Sequence, residues 1–216
     1  MVMATSTSPA VRRGRESRKR APRTTPQVRR ELLLDVAESI LASQGSDALR
    51  MDNLARTAGV TRPVVYEHFS NRDDLIVALL ERHGARLREG QPESPTSYTS
   101  FPEFLRAAIG RYLETALKYG PAMRTLVSGE RLSPTIEKAR QRVWSWGSSR
   151  WADLYTEHFD LQPDLARALA VSHLAGLSSL AGMCLNGTLD LETAIELHTA
   201  SSIGALREVS TVRGRI

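Results

Sequence analysis

The 216-residue chain has a single cysteine, Cys184. One thiol excludes an intramolecular disulfide framework, and no Cys/His cluster stands at the spacing of a structural zinc site. No metal or cofactor is expected, and a reducing, cytoplasmic setting fits. No stretch approaches the roughly 18 to 20 uninterrupted apolar residues of a membrane span, and the basic N-terminal stretch is not followed by the hydrophobic segment of an export signal, so no membrane partner is expected. There is no glycine-rich nucleotide fingerprint and no phosphate loop. The five histidines, His68, His83, His158, His173 and His198, share no catalytic spacing with Cys184 or with a carboxylate pair. Catalysis is therefore not expected.

What is present is charge, unevenly spread. The net charge is +5. Residues 1–30 hold nine of the 29 basic residues against one acid, Glu16, whereas residues 31–90 set seven arginines against ten acids, and the remainder balances. The excess positive charge therefore lies at one end. Residues 1–26 are rich in Ser, Thr, Pro and Arg, without aromatics or apolar periodicity, and read as a disordered basic arm.

Beyond the arm the chain reads as all-α. Leu32, Leu33, Val36, Ala37, Ile40 and Leu41 recur at helical spacing between about Gln27 and Gln44, and Gly45 suits the stop. Two short helices, Met51 to Ala58 and Arg62 to His68, are separated only by Gly59, Val60 and Thr61. That is the spacing of a helix-turn-helix. A fourth helix follows Asn71, a capping residue with Asp73 and Asp74 in the first turn behind it, and ends near Gly90. The Pro- and Ser-containing segment 91–100 divides a module at 27–90 from a larger one at 91–216. Five further helices are expected: Phe101 to Lys118, a short one at Pro121 to Val127, Pro134 to His158, Pro163 to Leu185, and Leu191 to Val209.

Within the helix-turn-helix each residue type has a mechanical reason. Small Ala55 permits close approach of the two helices, and Gly59 supplies a left-handed turn. Val60, Val65 and Phe69 face inward. Thr61 is placed to cap the next helix with its hydroxyl, and Pro63 is tolerated in the first turn. Leu54-Ala55, Ala58-Gly59-Val60, Thr61, Tyr66-Glu67-His68-Phe69, Arg72 and Asp74-Leu75 together resemble the DNA-reading segment of the TetR family of regulators. The resemblance covers roughly residues 32–80. It implies an N-terminal helix-turn-helix domain and a larger C-terminal helical domain that binds an effector and dimerises.

By the same resemblance, Thr61, Tyr66, His68 and Arg72 hold phosphates, Arg62, Pro63 and Val64 face base edges, and Arg50 joins the DNA-contacting set. Arg62 suits the N7 and O6 acceptors of guanine, and Val64 or Pro63 a thymine methyl. Met51 stands where Thr is common and Arg72 where Lys is usual. Asp52 is repelled by DNA unless it accepts from a cytosine or pairs with Arg50 or Arg56. Because the reading head is net acidic, the arm, through Arg18, Lys19, Arg20 and Arg23, is a candidate source of salt-dependent affinity.

The Pro163 to Leu185 helix is crowded with Ala, Ser and Gly; the resemblance implies that with the last helix it forms half of a four-helix bundle between two copies, the alternative being an ordinary intramolecular packing face. Tyr112, Tyr119, Met123, Trp144, Trp151 and His173 are the candidate lining of an effector pocket. The implied function is a homodimeric repressor released from a palindromic operator on double-stranded DNA by a small molecule. The alternative is a nonspecific or architectural DNA-binding protein.

Overall fold

A computed structural model describes residues 25–127 and 132–213. Among the described residues the regular structure is helical and no strand occurs. The chain runs through α1 (Pro26–Gln44), α2 (Met51–Thr57), α3 (Arg62–Tyr66), α4 (Arg72–Glu89), α5 (Phe101–Val127), α6 (Pro134–Phe159), α7 (Pro163–Leu185) and α8 (Leu191–Arg213), with 3₁₀ turns at Ser46–Ala48 and Pro95–Ser97. Residues 1–24, which carry most of the expected basic arm with Arg18, Lys19, Arg20 and Arg23, lie outside the described residues.

Local chemistry sets most helix ends. The Thr25 hydroxyl accepts from the Val28 N–H at 3.3 Å, and the Asn71 side chain accepts from the Asp74 N–H at 2.9 Å, which starts α1 and α4 on satisfied donors. Gly59 closes α2 at φ 67°. A Cβ there would meet nothing within 4 Å, so the turn demands glycine for its backbone angle and not for space.

Two expectations change, and one helix needs comment. In α1 the inward face takes Leu33 and Leu34, while Leu32 is 53% exposed. Three consecutive leucines fit a helical period in more than one phase, and packing selects the phase. The expected break between Lys118 and Pro121 is absent: α5 continues through Gly120-Pro121 to Val127. A proline inside a helix forfeits one backbone hydrogen bond. Burial on both sides offsets that cost, since Gly120 packs near Leu185 and Ala122 is buried in the core shared with α1. Finally, α7 is by length and mean hydropathy (1.6 across 18 residues) long and apolar enough to cross a membrane. It packs against α5, α6 and α8 through Ala166, Ala170, His173, Leu174, Leu177 and Ala181; its hydropathy comes chiefly from leucines and Val171, and the Ala, Gly and Ser between them keep the helix slim.

Two apolar cores result. The first joins α1 to α4 and includes Leu54, Val65, Phe69, Leu75 and Leu79, but it also draws in Ala122 of α5 and Ile136 and Ala139 of α6. The second fills the space among α5 to α8 around Phe104, Leu105, Trp151 and Tyr155. The chain turns at residues 90–100, yet the first core does not stop there.

Leu34→Ala is expected to cost about 2–5 kcal/mol of unfolding free energy, because it deletes a side chain that is 3% exposed. Leu32→Ala should stay within about 0.5 kcal/mol of the parent. Urea denaturation of both variants checks the phase of α1; equal effects would contradict it.

Candidate functional site

The short α3 is pinned from inside by Val65, which is fully buried, and by Phe69 just beyond it. That leaves Thr61, Arg62, Pro63 and Tyr66 exposed, with Val64 and His68 half-buried at the margin. Thr61 occupies the N-cap, but its hydroxyl makes no capping bond. Its backbone carbonyl accepts instead from the N–H groups of Val64 at 3.1 Å and Val65 at 3.4 Å. The expected side-chain cap is thus replaced by the backbone, and the hydroxyl faces solvent. Arg30 of α1 braces the other end of α3: its guanidinium lies 4.5 Å from the Phe69 ring centroid and donates to the His68 carbonyl at 3.1 Å.

The arginines of this face differ in their freedom. Arg72 donates from Nε to the Leu49 carbonyl at 2.8 Å and from Nη2 to the Ser46 carbonyl at 3.0 Å, tying the start of α4 to the loop that enters α2. Arg50, at the N-cap of α2, donates from Nε to the Asp47 carbonyl at 3.1 Å. Arg56 bonds to Asn53 Oδ1 at 2.5 Å. Asp52 pairs with neither Arg50 nor Arg56. Its Oδ1 lies 2.5 Å from Nε of Arg62. A side-chain hydrogen bond with Tyr66, together with the Asp52 charge, holds the Arg62 pKa above its ordinary value.

Behind the reading head, α4 is clamped to α1 by charge. Arg82 bonds to Asp35 and approaches Glu31 and Glu38, and Arg86 reaches Glu38 at 2.6 Å. The other side of α4 borders a cavity. Gly84 crosses α6 so closely that a Cβ would come within 3.0 Å of both Val143 methyls. Next to that crossing, Leu80, His83, Leu87, Tyr112, Ala116, Val143, Trp144 and Ala181 line a cavity of about 410 Å³. An adjoining apolar lobe, sharing Leu87, Tyr112, Val143 and Trp144 with it, reaches Trp151 and Leu177.

Of the pocket residues expected from sequence, Tyr112, Trp144 and Trp151 meet at this cavity, whereas Tyr119 does not line it but lies under the Arg86 guanidinium, 3.9 Å from ring centroid to carbon. His173 is buried elsewhere, its ring 4.5 Å from that of Trp151 and 4.7 Å from that of His198, with Nδ1 3.1 Å from the Ser202 hydroxyl. The Met123 side chain lies outside the described residues. His83 and Leu87 were not anticipated as lining. Their signal was weak, since a histidine and a leucine on an amphipathic helix ordinarily read as core.

Burial shapes the titration of these groups. It pushes the Tyr112 hydroxyl up to about 12, and with the Arg86 charge it pushes His83 down to about 4. His173, buried beside His198, falls to about 3. All three are neutral near pH 7.

This arrangement defines a class: a helix-turn-helix DNA-binding regulator whose reading head shares a helix with a half-open cavity. Residues 33–79 match the family model described as bacterial regulatory proteins, tetR family. The HTH-type transcriptional activator FasR of Mycolicibacterium smegmatis is 27% identical over 198 residues, covering 90% of each chain. The HTH-type transcriptional regulator BetI of Rhizobium meliloti is 34% identical over 62 residues, covering 29% of this chain and 30% of that one. A tetR-family regulator structure from Streptomyces coelicolor superposes with a TM-score of 0.70 at 24% identity, covering 88% of this chain and 85% of that one. Residues 33–79 are thus a tetR-family helix-turn-helix, and the chain as a whole is similar in fold to a tetR-family transcriptional regulator.

Both buried histidines bind a proton in the unfolded chain, with a pKa near 6.5, that the folded state refuses until about pH 4 and 3. Their stabilising contribution is complete above pH 6.5 and is lost as pH falls below it, by about 1.4 kcal/mol per group for each unit. Urea midpoints should therefore drop between pH 7 and pH 5, and the slope should be shallower in an H83Q/H173Q double variant. Identical slopes would contradict the assignment.

Proposed function

We propose that the protein is a homodimeric, operator-specific regulator whose DNA affinity is set by a small molecule in the cavity beside α4. The observation that carries this reading is the double duty of α4. One side of it supplies Leu75, Ile76 and Leu79 to the reading-head core, and another supplies Leu80, His83 and Leu87 to the cavity wall. An occupant that fits only one placement of α4 shifts the population of head positions.

The module of residues 27–90 reads DNA and that of 91–216 binds effector and partner. Arg62, Pro63 and Val64 face bases, while Thr61, Tyr66 and His68 contact phosphates. Arg72 and Arg50, bonded to carbonyls of the loop before α2, act at the backbone with their remaining donors. The basic arm, including Arg18, Lys19, Arg20 and Arg23, adds salt-dependent affinity.

The partner is a second copy, docked through α7 and α8. Ala168, Val171, Ser172, Ala175 and Ser179 on α7 and Leu197, Ser201 and Gly204 on α8 are exposed, and Val171 and Leu197 are large apolar side chains at 41% and 54% exposure. Two such faces of small side chains bring backbones close enough for a four-helix bundle.

Release from an operator makes the protein a repressor. An activator is the second reading, favoured by the similarity along 90% of the chain to a protein named as an activator.

Selection of bound duplexes from a random pool by the full chain should yield an inverted repeat with half-sites about one helical turn, ~34 Å, apart. Ala175→Glu, which buries a charge in the α7–α8 contact, should sediment as a monomer and lose the repeat by at least about tenfold in affinity. Selection without any enriched repeat would support the architectural alternative. A dimeric A175E protein would remove α7 from the interface.

A further inference from the structure

The helices of the reading head are bridged on their solvent side by the ion pair of Asp52, in the first turn of α2, and Arg62, at the start of α3. Both side chains stay about 60% exposed, at 60% for Arg62 and 63% for Asp52. An ion pair this exposed contributes little to folding. Next to a phosphate backbone, moreover, a carboxylate lowers affinity. In the first turn of α2 the Asp52 charge suits the helix dipole, a modest gain that any first-turn acid would supply and that does not require a pairing with Arg62.

The atoms supply a reason for that pairing. Guanidinium presents five N–H donors in a planar fork, one on Nε and four on the two Nη groups. The Asp52 carboxylate stands against the Nε side of the guanidinium, its Oδ1 2.5 Å from Nε, as an ion pair. That contact leaves both terminal Nη groups for a partner approaching end-on. Guanine, with N7 and O6 side by side in the major groove, is the base edge that accepts such a fork. Holding the group in advance reduces the ordering that DNA binding would otherwise require.

We infer that Asp52 is a positioning residue for base readout: it holds Arg62 by Nε so that the Nη pair meets a guanine, gaining discrimination at one base pair while lowering affinity for DNA in general. The inference rests on the reading of α3 as the base-contacting helix. It assigns α2 a part in specificity that involves no contact of its own with a base.

The two effects have opposite signs, and a merely structural role would not produce that. The test uses full-length protein and its D52N, R62A and D52N/R62A variants. Each selects from a pool of randomised duplexes, and each is titrated against a random-sequence duplex at fixed salt. R62A should flatten a G·C preference at one position in each half-site. D52N should flatten the same position by about fivefold or more, while its affinity for random duplex rises about twofold or more. The double variant should match R62A at that position.

A D52N protein that keeps the full preference at a position R62A flattens overturns the inference alone. One that loses affinity for selected and random DNA alike also overturns it, showing Asp52 to be structural. An R62A protein with an unchanged profile overturns the base-contact reading of Arg62, and the inference falls with it.

Discussion

Everything in this molecule turns on the requirement that α4 bury several sides at once. Leu75, Ile76, Leu79 and Leu80 go into the core with α1 to α3, and Gly84 must stay small to let α6 cross. Arg82 and Arg86 meet the acids of α1, while His83 and Leu87 face the cavity. A helix committed in this way has few independent positions. Displacing it by even a fraction of a turn disturbs close-packed contacts on both sides, and packed interfaces respond by switching between discrete arrangements.

The reading head follows from the same economy. Only five residues form α3, too few to persist without tertiary support. Val65 and Phe69 below, Arg30 at one end and the α2 turn at the other hold it. Arg72, which in sequence reads as a phosphate ligand, spends two donors on the carbonyls of Ser46 and Leu49 and so fastens α4 to the entry of α2. The acidic balance of residues 31–90 also acquires a structural meaning. Glu31, Asp35 and Glu38 serve the α1–α4 clamp, and Asp52 serves Arg62.

Much of this was legible in the residues because local rules decide it. The glycine at φ 67°, the Asn71 cap, the proline starts of α6 and α7 and the tight spacing between α2 and α3 are each determined within a few residues. What was not legible depends on distant partners. The phase of Leu32, Leu33 and Leu34 is chosen by the core, and the passage of α5 through Gly120-Pro121 by burial against Leu185 and the first core. Sequence position makes the Thr61 hydroxyl a cap, yet the backbone closes the helix start without it. Residue type alone groups Tyr119 and His173 with the cavity, whereas the tertiary fold gives one to Arg86 and the other to His198. Arg50 and Arg56 are the neighbours of Asp52 in sequence, but its partner, Arg62, lies across the turn.

Communication between the cavity and the reading head runs through α4. Filling the cavity from the α5 side with Ala116→Trp places an indole against the wall formed by His83 and Leu87 without touching the DNA-facing residues. Provided the variant remains folded and dimeric, its affinity for the selected inverted repeat should change by about fivefold or more, the usual scale of coupling between linked sites. An A116W dimer that binds the repeat with unchanged affinity would contradict the account.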